Sequence, residues 1–231
     1  QTNRVRVFEI GRCFRRDAAG QPVDGFHQPV RLAALAAGFA KPEQWGEANR
    51  NVDFFDVKAD LEALLLPRVA KFERATHPAL HPGRSARVLL DGREIGFIGE
   101  LHPIWVQRYE LGTAPVVFEI ELSAMLDTMM PAYREVSRFP AVTRDLALVV
   151  DQAVASASLL EGLEAVAPAI VQRVELFDQY QGKGIEPGRK SLAFRVVMQE
   201  TQRTLEDAEV DAAMVLLTRH AEENLGAKLR G

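Results

Sequence analysis

The chain has 231 residues, 47% of them hydrophobic, enough for one large or two ordinary buried cores. Its charged fraction of 26% and net charge of -4 exclude a general attraction to polyanions, so any nucleic-acid site has to be a local patch. Cys13 is the only cysteine, which excludes an intramolecular disulfide and a cysteine zinc cluster. It fits a reducing compartment, and the sequence reads as cytoplasmic. No apolar run approaches the roughly 20 residues that cross a bilayer, so no membrane contact is expected, and no cleavable signal pattern opens the chain. A start at Gln1 rather than Met reads as a piece of something longer, with chemistry expected in the remainder.

Arg4 to Ile10 sets Val5, Val7 and Ile10 among polar partners and predicts a strand, followed by a polar turn at Asp17 to Gln21. Pro29 to Phe39 is apolar nearly throughout, as in a strand buried on both faces. Lys41 to Asn51 is loop-like. Phe54 to Lys58 then leads into Leu61, Leu64 and Leu65 at helical spacing, which Pro67 interrupts. Ala86 to Leu90, Arg93 to Gly99 and Val116 to Leu122 read as strands, the first two joined by a hairpin at Asp91-Gly92. Pro131 to Arg138 lacks apolar periodicity, so a linker is placed at 131–137 between a first domain, 1–130, and a second, 138–231.

The second domain reads βαββαβ, the ferredoxin-like order, so the fold class is α+β. Its strands are Asp145 to Val150, Val171 to Asp178, Ser191 to Gln199 and a short closing one at Ala227 to Arg230. In the third, Leu192, Phe194, Val196 and Met198 alternate with Ala193, Arg195, Val197 and Gln199, one face for a core and one available. Its first helix is capped by Ser156 or Ser158 and carries Leu159, Leu163 and Val166. The second has Thr204-Leu205-Glu206-Asp207 as a capping box before Val210, Met214, Leu217 and Ala221.

Three constellations invite a chemical reading. Phe8-Glu9-Ile10-Gly11-Arg12-Cys13-Phe14-Arg15-Arg16-Asp17 resembles the second motif of class II aminoacyl-tRNA synthetases, whose arginine grips the ATP α-phosphate. Asp17 stands where that motif has glutamate, and no later Gly-x-Gly-x-x-Arg stretch supplies the third motif, so Arg15 is expected to be structural. His77, His81 and His102 could suggest a metal, but the turn sequences of His81 and His102 favour local hydrogen bonds, no carboxylate sits at ligand spacing, and no metal site is expected. Cys13 reads as a small buried apolar residue. The third constellation is Asp178-Gln179-Tyr180-Gln181-Gly182-Lys183-Gly184 with Arg189-Lys190-Ser191. Lys183 to Arg203 holds five basic residues against two acidic ones, a basic patch on an acidic chain. A tyrosine there can stack a splayed base, a carboxylate can accept from a base edge, and Lys183, Arg189 and Lys190 can neutralise phosphates. A solvated turn is the plainer reading of such a hairpin.

The segments Ser137 to Ala147, Asp178 to Gly182, Lys190 to Ala193, Arg203 to Leu205 and Leu229-Arg230 resemble the ferredoxin-fold anticodon-binding domain that closes bacterial phenylalanyl-tRNA synthetase β chains. Phe8 to Gly11, Asp53 to Lys58, His81 to Ala86 and Gly99 to Pro103 are similar to the region just before it. The resemblance implies a piece of the β subunit of an (αβ)2 heterotetramer that joins phenylalanine to its tRNA, with ATP and magnesium used in the α subunit and no catalytic residue or cofactor in this segment. The first domain would be a class II synthetase-like antiparallel sheet without an active site, packed in the heterotetramer. The second would hold the tRNA(Phe) anticodon stem-loop, with Tyr180 stacked on the first anticodon base and Asp178, Ala147 and Ser191 around it. Two other classes remain open: a ferredoxin-like small-molecule regulatory module, and a scaffold that binds the α subunit without touching RNA.

Overall fold

The computed structural model describes residues 3–19, 22–23, 25–126, 133 and 135–230, without the side chains of 22 and 23. Strand β1 (Arg4–Arg12) leads through three two-residue strands, β2 (Arg15–Arg16), β3 (Pro22–Val23) and β4 (Phe26–His27), which pair in the order β2-β4-β3. Then come β5 (Val30–Gly38), α1 (Phe54–Leu65), β6 (Ala70–Arg74), β7 (Leu80–Leu90), β8 (Arg93–Leu101), α2 (Pro103–Arg108), β9 (Val116–Glu121) and α3 (Ser123–Leu126). The longer strands form an antiparallel sheet in the order β1-β5-β9-β8-β7-β6.

Helix α1 starts where Asp53 accepts hydrogen bonds from the backbone of Phe55 (2.8 Å) and Asp56 (3.1 Å). The Asp56 carboxylate accepts in return from the Asp53 N–H at 2.9 Å, closing a capping box. The helix buries Val57, Leu61 and Leu65 in a cluster with Val88, Ile98, Phe118 and Ile120. The Asp91-Gly92 hairpin is present, with φ of 50° and 78° at the two turn residues, as a tight two-residue connection requires.

Several details depart from the sequence reading. Strand β7 begins at Leu80 rather than near Ala86, with a register shift before Ser85. Strand β6 was not expected, because Lys71, Glu73 and Arg74 dilute its apolar pattern at the sheet edge. Helix α2 replaces a turn: His102 caps it, Nδ1 accepting from the Ile104 N–H at 3.2 Å, and Pro103 opens it. Strand β5 is central but only partly covered, with Leu32 and Ala36 buried and Ala33 to Leu35 half-exposed.

The chain divides into two units, Gln1–Ala132 and Tyr133–Gly231. Of the expected linker, 131, 132 and 134 lie outside the described residues. The second unit comprises β10 (Val142–Asp151), α4 (Ser156–Val166), β11 (Val171–Tyr180), β12 (Arg189–Met198), α5 (Asp207–Asn224) and β13 (Lys228–Leu229), in the expected βαββαβ order. The strands pair antiparallel in the spatial order β11-β12-β10-β13. Leu146, Leu148 and Val150 of β10 and Leu192, Phe194, Val196 and Met198 of β12 are buried with Leu159 and Leu163 of α4 and Val210, Ala213, Leu217 and Ala221 of α5. Both helices therefore cover one sheet face and leave the other open.

The helix starts differ from the expected ones. Neither Ser156 nor Ser158 caps α4, whose N-cap is Ala155. Helix α5 begins after Glu206 rather than Thr204, the Glu209 carboxylate accepting from the Glu206 N–H at 3.0 Å and from Arg203 at 2.7 Å. The Arg203 hydrogen bond and then the backbone one hold the Glu209 pKa at about 2, below the ordinary 4.5. A lowered carboxylate pKa favours the fold above the ordinary value and stops doing so as the pH falls through the folded value. The Glu209→Gln variant should therefore melt below the parent at neutral pH, and the gap should close as the pH is taken from about 5 towards about 2; a gap independent of pH would refute this role.

Candidate nucleic-acid interface

The geometry of the open face follows from β12. Because Leu192, Phe194, Val196 and Met198 point into the core, Ser191, Ala193, Arg195 and Val197 point away from it. Strand β10 pairs Ala147 with Ala193, Val149 with Ser191 and Asp145 with Arg195. On β11, Glu175 pairs with Arg195 and Leu176 with Phe194, but the next pair is Asp178 with Ala193, followed by Tyr180 with Ser191. Phe177 is the unpaired residue of this β-bulge. A continuous register would have turned Asp178 and Tyr180 towards the helices; the bulge turns them to the open face. Asp178, Ala193 and Ala147 thus form one row across three strands, and Tyr180, Ser191 and Val149 form the next.

Tyr180 is 38% exposed, and its hydroxyl donates to the Lys183 carbonyl at 3.2 Å. A Cβ on Gly182 would stand 2.8 Å from that hydroxyl oxygen, so glycine lets the turn pass close to the ring. Asp178 is exposed, with no hydrogen-bond or ion-pair partner among the described residues. Ser191 is 3% exposed beneath this face, and Ala147 is half-buried, so both can serve only as floor. Phe177, 48% exposed, lies under Arg195, whose Cζ is 4.6 Å from the ring centroid. Arg195 is held in turn by Asp145 at 3.1 and 3.2 Å, and this carboxylate raises the guanidinium pKa above its ordinary value.

The expected phosphate contacts separate. Lys183 is exposed in the turn after β11. Arg189 shares the open face, but its guanidinium donates to the Val149 carbonyl at 3.0 Å and its side chain is only 21% exposed. Lys190 does not join them: it pairs with the core residue Val150 and is 9% exposed on the helix side, because strand alternation sets it opposite Arg189 and Ser191. Sequence reading overlooked Phe177 as the bulge and Arg230 as a neighbour of Tyr180. The Arg230 Cζ lies 5.4 Å from the Tyr180 ring centroid.

In the first unit Arg15 is exposed on β2, paired through its backbone with His27, and Asp17 accepts from the Ala19 N–H at 3.0 Å. With glutamate absent from that motif and no third-motif arginine in the sequence, these residues do not fit an ATP site. His81 and His102 make the local hydrogen bonds read from their turns, accepting from the Gly83 N–H at 3.0 Å and the Ile104 N–H at 3.2 Å, while His77 accepts from the Ala79 N–H at 3.3 Å and stacks on Phe97 with centroids 4.2 Å apart. Among the described residues no three His, Cys, Asp or Glu side chains group at metal-binding distance. Cys13 is half-exposed rather than buried, in the connection between β1 and β2.

Residues 137–230 match the ferredoxin-fold anticodon-binding domain, and the strand order and open face described above are those of this α+β class. Residues 1–122 match the phenylalanyl-tRNA synthetase β chain CLM domain. The phenylalanine–tRNA ligase β subunit of Aromatoleum aromaticum is 67% identical over 231 residues, covering 100% of this chain and 29% of the relative. That of Dechloromonas aromatica is 59% identical over 98% of this chain and 29% of the relative, and that of Ralstonia nicotianae 52% identical over 100% and 30%. The chain belongs to the phenylalanyl-tRNA synthetase β-chain family and spans about three tenths of the length of these relatives.

Deleting Gln179, just after the bulge, should send Tyr180 to the helix side, or Asp178 if the bulge is absorbed instead, costing about 1–3 kcal/mol. Phe177→Ala keeps the bulge and should melt near the parent. A deletion variant with the parent's melting temperature would show that the register after the bulge does not set the face.

Proposed function

We propose that the open face of the second unit binds the anticodon stem-loop of a phenylalanine-accepting tRNA, and that the chain acts as part of a phenylalanine–tRNA ligase β subunit. One observation carries the reading: Tyr180, Asp178, Ala147 and Ser191, distant in sequence, occupy adjacent positions of the open face. Exposed tyrosine offers a stacking plane that every base can use, and the free Asp178 carboxylate accepts from a base edge. Lys183 at the rim supplies a phosphate contact. A regulatory module would instead use this face to enclose a small ligand, for which an exposed ring and an open row of alanines give no walls.

In the whole enzyme, on this reading, the first unit packs in an (αβ)2 heterotetramer as a non-catalytic class II synthetase-like domain. ATP and magnesium serve amino-acid activation in the α subunit, and the setting is the cytoplasm, where tRNA is charged. Among the described residues no helix is long and apolar enough to cross a membrane.

Titration of a fluorescent phenylalanine-tRNA anticodon hairpin with the chain at low salt tests the reading. Tyr180→Ala should lose about 1–3 kcal/mol of affinity, the worth of one stacked base, and a changed first anticodon base should also weaken binding. Unchanged affinity in both would sink the proposal. Lys183→Ala should lower the slope of log affinity against log salt by about 0.7, one single-strand phosphate contact, whereas Lys190→Ala should leave it in place. The reverse pattern would mean that the chain meets RNA on its helix side.

A further inference from the structure

Arg230 is built into the same face from the opposite edge of the sheet. Its N–H donates to the Ala147 carbonyl at 2.9 Å, continuing the register in which Leu229 pairs with Leu148. The row of the open face therefore runs Arg230, Ala147, Ala193, Asp178 across four strands, about 14 Å at the usual strand spacing. The two middle residues have no side chain beyond Cβ. The Arg230 side chain reaches over them to bring its Cζ to 5.4 Å from the Tyr180 ring centroid. It has no carboxylate partner among the described residues, whereas Arg173, Arg195 and Arg203 are each paired with one. Tyr180 is the fixed member of the pair, its hydroxyl tied to the Lys183 carbonyl and packed against Gly182.

We propose that Arg230 is the second jaw of the base site: a nucleobase enters between the Tyr180 ring and the Arg230 guanidinium, with its edge towards Asp178. This rests on the anticodon reading above and adds to it the residue that closes the pocket. A base held between ring and guanidinium needs two stacking spacings, more than the 5.4 Å that separates the Arg230 Cζ from the ring centroid. The guanidinium therefore has to move outwards to admit it. An arginine without an ion pair, anchored only through its backbone, can do this by changing rotamer. The guanidinium already stands over the ring face that a base would use. Arginine suits both states, since its planar fork stacks on aromatic faces and keeps its charge over the π-system. A lysine in its place would keep the charge and lose the plane.

The test uses the whole chain and two anticodon hairpins, one with a distant fluorophore for affinity and one with 2-aminopurine at the first anticodon position for stacking. Circular dichroism checks that each variant is folded. Arg230→Ala should weaken binding about fivefold or more, and Arg230→Lys should not restore it. At saturating protein, 2-aminopurine should be less quenched with Arg230→Ala than with the parent. Full restoration by Arg230→Lys, with a reduced salt slope in Arg230→Ala, would overturn the jaw in favour of a phosphate contact. Parental affinity in Arg230→Ala beside weakened Tyr180→Ala would overturn the jaw and leave the site reading standing. Parental affinity in both would bring down the anticodon reading and the jaw with it.

Discussion

Strand β12 is hydrogen-bonded on both sides, and its alternation governs everything on the second unit's sheet. Leu192, Phe194, Val196 and Met198 are fully buried, each contributing about 1.5–3 kcal/mol relative to exposure. A slip of one residue would exchange these four for Ser191, Ala193, Arg195 and Val197, so the register is firmly specified. The functional face is thus a by-product of core packing: whatever lies between the core residues of β12 must meet the solvent. The neighbouring strands are placed by hydrogen bonding to this one, and their outward rows follow.

Charge on that face is mostly neutralised within the protein. Arg195 is held by Asp145 and Arg173 by Glu175, while Arg189 is turned back onto the Val149 carbonyl. These exposed pairs add little stability, but they remove cations from competition for RNA. Lys183, Lys228 and Arg230 have no anionic partner among the described residues, and the first two flank the row that holds the base site. A face with so few free cations on a chain of net charge -4 binds weakly to RNA in general. Discrimination then falls to stacking and to the Asp178 acceptor.

Much of this was legible in the residues. The alternation in β12, the Asp91-Gly92 hairpin and the helical spacing of Leu61 with Leu65 are local signals, and each element formed where its period indicated. What escaped was non-local. No period in Val171 to Tyr180 marks Phe177 as the bulge, because a bulge is a mismatch between two strands and is invisible in either alone. Lys190 looked like a companion of Arg189, and only pairing with Val150 sends it to the other side. Arg230 meets Tyr180 through a sheet edge formed by the last strand, 50 residues later in the chain. The amphipathic edge strand β6 and helix α2, only six residues long, lacked enough periods to announce themselves.

The bulge at Phe177 also gives the chain an uneven tolerance to changes of length. Phe177 itself can be lost, because the ladder then closes with Asp178 still opposite Ala193, but a residue gained or lost between Asp178 and Tyr180 puts those two side chains on different faces. Just beyond, the solvent-exposed connection from Gln181 to Gly188 carries little of the fold, and lengthening it costs only the slow logarithmic growth of loop closure. Among homologous chains, insertions are therefore expected to collect after Gly182, while the three positions from Asp178 to Tyr180 change in identity but not in number.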